Sequence, residues 1–214
     1  MGRRGELHAI YFADPMCSWC WGFAPTIAAI RMEYGDDLPI RLVMGGLRPG
    51  TDQPMTEAAQ QDVRNHWEHV HEASGQPFEF SFFDRKGFIY DTDPAARAAV
   101  AVRREDRSLE FPFFESVQHA FYAENRDVTK PDVLADLAAE IGLDRESFLH
   151  LFGSEEVRQE TWKDYAVSQQ ARIRGFPTLL VGPNGEGAYI LVTHGYRGPG
   201  ELMPVLNSIL EALR

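Results

Sequence analysis

The chain has 214 residues, enough to bury one substantial core as a single domain or as a domain carrying a large insertion. Its hydrophobic share of 44% and charged share of 25% are those of an ordinary globular protein and exclude a disordered chain. The formal charge is −11, from 21 basic and 32 acidic residues with no Lys/Arg stripe, so nucleic acid is not an expected partner.

Taken in chain order, the apolar β-prone run His8-Ala9-Ile10-Tyr11-Phe12-Ala13 predicts a strand, and Phe23 to Tyr34 a helix. Pro39-Ile40-Arg41-Leu42-Val43-Met44 reads as a second strand ended by Gly45-Gly46. The pattern then turns helical. Thr56-Glu57 opens a stretch ending near Ser74-Gly75, and Asp93-Pro94 reads as an N-cap followed by a first-turn proline, opening Ala95 to Arg104. Phe113, Val117, Ala120 and Phe121 recur at helical spacing. Pro131 to Ile141 stops at Gly142, Asp144 caps a short helix to Phe152, and Ser154-Glu155-Glu156 opens one reaching about Ile173. Thr178-Leu179-Leu180-Val181 and Ala188-Tyr189-Ile190-Leu191-Val192 flank an Asn184-Gly185 turn and predict a hairpin, followed by a helix over Pro199 to Leu213. Residues 51–164 therefore form a helical block inserted into a strand-helix-strand and strand-strand-helix frame spanning 5–50 and 165–214.

No run approaches the length of a membrane span. No continuous apolar stretch follows Met1-Gly2-Arg3-Arg4 before Asp14 and Pro15, so a leader is not read and a cytoplasmic protein is expected.

Chemistry concentrates in Asp14-Pro15-Met16-Cys17-Ser18-Trp19-Cys20-Trp21-Gly22-Phe23, which holds the only two cysteines of the chain. A C-x-x-C pair is a redox couple or half of a metal site. A strand feeding a helix through the motif sets Cys17 at the helix N-terminus, where the dipole and unpaired N–H groups favour a thiolate. Cys20, one turn further, can reach the Cys17 sulfur and is expected to be the more buried of the two. Thiol–disulfide exchange needs such a pair, an exposed attacker and a resolver. A zinc set of Cys17, Cys20, His66 and His69 is chemically acceptable but needs the insert to fold onto the active-site helix in one way; no metal site is expected.

The element order, the C-x-x-C at a strand-to-helix junction and Ala171-Arg172-Ile173-Arg174-Gly175-Phe176-Pro177-Thr178 before the hairpin resemble the DsbA family of thiol–disulfide oxidoreductases. The wording Asp-Pro-Met-Cys-Ser-Trp-Cys-Trp-Gly is most similar to its cytoplasmic, FrnE-like branch. The resemblance implies an α/β thioredoxin-like fold with a large all-helical insertion. It implies a cis Phe176–Pro177 bond beside Cys17, with Phe176 offering its backbone to a substrate strand and Pro177 presenting no competing N–H.

By the same resemblance Ser18 and Trp19, between the sulfurs, adjust hydrogen bonding at Cys17, and Trp19 stacks on substrate. The expected partners are protein disulfides, dithiols or glutathione, with no cofactor beyond the redox-active disulfide. Asp14 stays open between two roles, a turn or cap residue and a water-mediated proton acceptor for Cys20. The aromatic run Phe78, Phe80, Phe82, Phe83, Phe88 and Tyr90 reads as insert core that also suits an apolar groove, and Gly45 to Gly50 as a border of the same cleft. Two other functions fit less of the chain. Asp91-Thr92-Asp93-Pro94-Ala95 resembles a segment of kappa-class glutathione transferases, which lack the C-x-x-C pair, and a zinc-binding or chaperone module would use the cysteines or the aromatic groove without turnover.

Overall fold

Leu7–Ala13 forms β1 and runs straight into the cysteine motif. The computed structural model describes residues 7–183 and 187–213. After β1 come α1 (Ser18–Tyr34), β2 (Ile40–Met44), α2 (Glu57–Ser74), α3 (Asp93–Glu105), α4 (Glu110–Tyr122) and α5 (Pro131–Glu140). The chain ends with α6 (Arg145–Phe152), α7 (Glu155–Gln170), β3 (Thr178–Pro183), β4 (Ile190–His194) and α8 (Pro199–Leu213).

The sheet order is β2-β1-β3-β4. β1 and β2 are parallel, with Ala9 beside Ile40 and Ala13 beside Met44, as a helical crossover through α1 requires. β3 runs antiparallel to both β1 and β4. The expected α/β frame with its helical insertion is therefore present, and α7 runs unbroken across residues 164 and 165. α1 packs against α2 and α4 of the insert and against α8.

Side-chain capping sets the starts of α2, α6 and α7. The Thr56, Asp144 and Ser154 side chains accept from the N–H groups of Ala59, Ser147 and Val157. The cap expected at Asp93 is one residue off: Thr92 is the N-cap of α3 and Asp93 is already helical. The cause is tertiary, because Asp91 Oδ1 takes the Asp93 and Gly50 N–H groups and leaves the Asp93 carboxylate to the Tyr165 hydroxyl and Arg97. α7 stops at Gln170 rather than near Ile173, because Arg172 turns left-handed (φ 55°) and the Arg172 and Ile173 N–H groups fold back onto Gln169 and Ser168. β4 starts at Ile190, two residues later than expected. Tyr189 is drawn to His8 instead, its hydroxyl 2.9 Å from Nε2. The Asn184-Gly185 turn lies outside the described residues.

α1 begins at Ser18, so Pro25 falls inside the helix. A proline there deprives the carbonyl four residues back of its donor. That carbonyl is Trp21 O, and the Gln76 side-chain amide donates to it at 3.1 Å. The Trp21 indole N–H also donates to Pro77 O at 3.0 Å, and its ring stacks on Tyr122.

The insert core is aromatic. Trp67 is fully buried, with Phe78, Phe82, Phe83 and Tyr122 rings at 4.9 to 5.2 Å. Each such pair contributes about 0.5–1.5 kcal/mol beyond burial of its area.

Candidate active site

Cys17 is the N-cap residue of α1, with extended backbone (φ −95°, ψ 116°) and no side-chain capping bond. Its carbonyl accepts from the Cys20 and Trp21 N–H groups at 3.0 Å, so the sulfurs lie one helical turn apart on the first turn. Both thiols are unlinked. The two are unequal: Cys17 keeps 6% exposure and Cys20 none. Burial first, then hydrogen bonding and charge from Cys17, push the Cys20 thiol well above its ordinary range.

The Phe176–Pro177 peptide is cis. The Cys17 thiol donates to Phe176 O at 3.7 Å, joining residues 159 positions apart. Room for this comes from Gly45, just past β2: a Cβ there would stand 2.2 Å from Phe176 Cζ and 2.3 Å from Cε1. Gly45→Ala is therefore expected to displace the Phe176 ring and slow disulfide exchange at Cys17 on the order of ten- to a hundredfold. Overpacking should cost about 1–3 kcal/mol of stability. Exchange kinetics beside a thermal melt check this, and an unchanged exchange rate would remove Phe176 from the site.

An open cavity of about 260 Å³ lies over the sulfur. The motif contributes Met16, Cys17, Ser18 and Trp19, and Gly175 with Phe176 forms the opposite wall. Leu47 and Arg48, Tyr90, and the α2 residues Val63, His66 and Trp67 complete it. Positions 63, 66 and 67 share a helix face. Trp19 is half-buried, its ring 5.8 Å from that of Tyr196. The Tyr90 hydroxyl donates to Met16 O at 2.8 Å and fixes the turn before Cys17. The aromatic run thus divides between insert core and cavity wall, and the Leu47–Arg48 segment borders the cleft.

Tyr11 was not singled out by the sequence as part of this site, whereas Arg48 lies in the Gly45–Gly50 stretch expected to border the cleft and His66 belongs to the alternative zinc set. Period-2 alternation sets Tyr11 inward with Ala9 and Ala13. Its ring packs 5.8 Å from Phe23, one turn beyond Cys20 on α1. The Tyr11 hydroxyl is buried without a well-formed hydrogen bond, and the nearby polar group is the Cys20 thiol. Burial, then the cysteines' charge, raises its ionisation well above the ordinary tyrosine value. Of the zinc set, His66 reaches the cavity while His69 is exposed and outside its walls. Among the described residues no group of three or more His, Cys, Asp or Glu side chains converges on one point.

Asp14 is fully buried and joins two loops: Oδ1 accepts from Met16 N and Oδ2 from Leu47 N, each at 2.9 Å. It therefore does act as a turn residue. Burial pushes its carboxyl up to about 6, against the pull of those two N–H groups. The folded state then holds a proton that the unfolded chain releases above about pH 4. Stability from protonated Asp14 is full below that value and lost as pH rises through 6, by an upper bound of roughly 3 kcal/mol. Unfolding curves from pH 4 to 7 should show wild type losing stability relative to Asp14→Asn; parallel curves would mean that Asp14 stays ionised throughout.

Known proteins share this fold. Residues 10–196 match the model of the DSBA-like thioredoxin domain. A candidate protein disulfide isomerase from Nitrosomonas europaea superposes with a TM-score of 0.90 at 38% identity, covering 97% of this chain and 98% of that one. The cytosolic disulfide reductase DsbM from Pseudomonas aeruginosa gives 0.78 at 27% identity over 96% and 99% of the two chains, and has also been solved with GSH. The ClpXP adapter protein SpxH of Halalkalibacterium halodurans is 23% identical over 190 residues, 83% of this chain; the chain spans only 59% of that relative's length. With the fold, the cysteine pair and the match over most of its length in agreement, the chain belongs to the DSBA-like thioredoxin domain family.

Proposed function

We propose that the protein is a thiol–disulfide oxidoreductase in which Cys17 attacks and Cys20 resolves. The asymmetry of the two sulfurs carries this reading: one caps a helix at the floor of an open cavity, the other is sealed one turn behind it with its proton held by burial.

The Cys17 thiolate attacks one sulfur of a substrate disulfide. A bond forms between Cys17 and that sulfur, the substrate S–S bond breaks, and the other substrate sulfur leaves as a thiolate. Cys20 then gives up its proton and attacks the Cys17 sulfur. The Cys17–Cys20 bond forms and the second substrate thiol leaves reduced, so two electrons have passed from enzyme to substrate. Run backwards, the same steps oxidise a dithiol.

Phe176 positions the substrate through its backbone, and Pro177 keeps an N–H away from the thiolate. Ser18 and Trp19 line the approach. Asp14, buried at the turn that precedes Cys17, takes up the Cys20 proton. No cofactor is needed beyond thiols, with glutathione as co-substrate. No helix among the described residues is long and apolar enough to cross a membrane. A cytoplasmic location is supported by a cysteine content limited to the redox pair and by the cytosolic reductase among the relatives.

Equilibration in graded glutathione buffers tests the reading. A reversible Cys17–Cys20 disulfide at about −120 to −200 mV marks an oxidant or isomerase, and one near about −270 mV a reductant. Failure to form any intramolecular disulfide would sink the proposal.

A further inference from the structure

We propose that the Cys17 cavity selects a carboxylate-bearing small disulfide or thiol of the glutathione class, held through Arg48. This inference rests on the disulfide-exchange reading above. Its first support is a local reversal of charge. The chain carries 32 acidic against 21 basic residues, yet no Asp or Glu is among the cavity walls, which include Arg48 and His66.

Arg48 is also the kind of cation a ligand can recruit. Its backbone is tied down, with Arg48 N donating to Thr92 Oγ1 at 3.0 Å and Arg48 O accepting from Thr92 N at 3.3 Å. The side chain is exposed, and its guanidinium lies 5.1 Å over the Tyr90 ring. Among the described residues no carboxylate stands within ion-pair distance of it, whereas Arg103, Arg126 and Arg145 each hold two or more. Asp91 takes the Gly50 and Asp93 N–H groups on Oδ1 and forms no ion pair with Arg48. With Cζ over the Tyr90 ring and no protein acceptor on its N–H groups among the described residues, the guanidinium has donors to offer a carboxylate, a group arginine binds through paired hydrogen bonds. His66, across the cavity on α2, adds a further donor. With oxidised glutathione the step balances: the Cys17 thiolate forms a bond to one glutathione sulfur, the ligand's S–S bond breaks, and the other glutathione leaves as a thiolate.

The test uses the full chain carrying Cys20→Ser, so that adducts at Cys17 persist, and follows adduct formation by quenched-flow mass spectrometry. Three symmetric disulfides serve as probes: oxidised glutathione (anionic), hydroxyethyl disulfide (neutral) and cystamine (cationic). Their leaving thiols differ in acidity, so the quantity read is the change in rate ratio between proteins. Arg48→Ala is expected to lower the glutathione-to-hydroxyethyl ratio roughly tenfold, the loss of one charge-assisted pair. Arg48→Glu should lower it further and raise the cystamine ratio, and Arg48→Lys should restore part of the loss. Ratios unchanged across these variants would overturn the inference and leave disulfide exchange standing. No adduct with any of the three would overturn the exchange reading itself.

Discussion

Serine at position 17 is expected to reduce insulin-disulfide turnover to background, a loss on the order of a thousandfold or more for removal of a nucleophile. Only a sulfur at this position can form the mixed disulfide, and nothing else in the cavity substitutes for it: Cys20 is fully buried behind the first turn of α1. Cys20→Ser should behave differently, still attacking but stalling as a covalent adduct at Cys17 visible by mass spectrometry. Full insulin reduction by the Cys17→Ser protein would refute the assigned roles. Glutathione-dependent activity that survives loss of both cysteines would instead point to a transferase of the kappa-like type.

The largest loss of stability is expected from Arg103→Ala, about 3–5 kcal/mol, the cost of leaving buried charges without their partner. Arg103 donates to Asp164 at 2.9 Å, to Glu160 at 3.0 Å and to Glu110 at 3.4 Å. The Asp164 and Glu110 side chains are only 5% and 3% exposed. Burial pushes the Glu110 carboxyl up to about 7, with Arg103 pulling it back. The folded chain thus holds a proton on Glu110 that the unfolded chain loses above about pH 4.5, so the stability this gives is full below that pH and gone above about 7. Without Arg103 the ionised form costs more, and urea unfolding should show a wider gap from wild type at pH 8 than at pH 5. A gap under about 1 kcal/mol at pH 8 would mean that the cluster relaxes or hydrates instead. The effect should extend to the site, since Asp164 also accepts from Met44 N, at the end of β2 just before Gly45.

What the sequence disclosed followed from interactions between near neighbours. The β1–α1 junction at Cys17, the caps Thr56, Asp144 and Ser154, and the final helix from Pro199 are set by residues within four positions, so their chemistry can be read along the chain. The Asp93 cap was misplaced because Gly50 and Tyr165, far away in sequence, decide which carboxylate does the capping. The cavity was legible on its cysteine and proline sides and along the Gly45–Gly50 border. His66 enters it because the insert packs against α1, and neither periodicity nor spacing encodes that approach. Of the two α2 histidines in the zinc alternative, which the sequence did not favour, His66 reaches the cavity and His69 does not.

Pro25 gives the molecule an unusual division of labour. A helix that satisfied its own carbonyls could fray at its first turn while the rest of the protein held still. Here one link of that turn belongs to Gln76, just beyond α2, and the indole of the same Trp21 is held by Pro77. Loosening the insert strips a bond from the helix that bears both thiols, and unwinding that helix releases the insert. The helix that carries the buried Cys20 and the segment after α2 are thus tied by shared hydrogen bonds, so the stability of one is linked to that of the other.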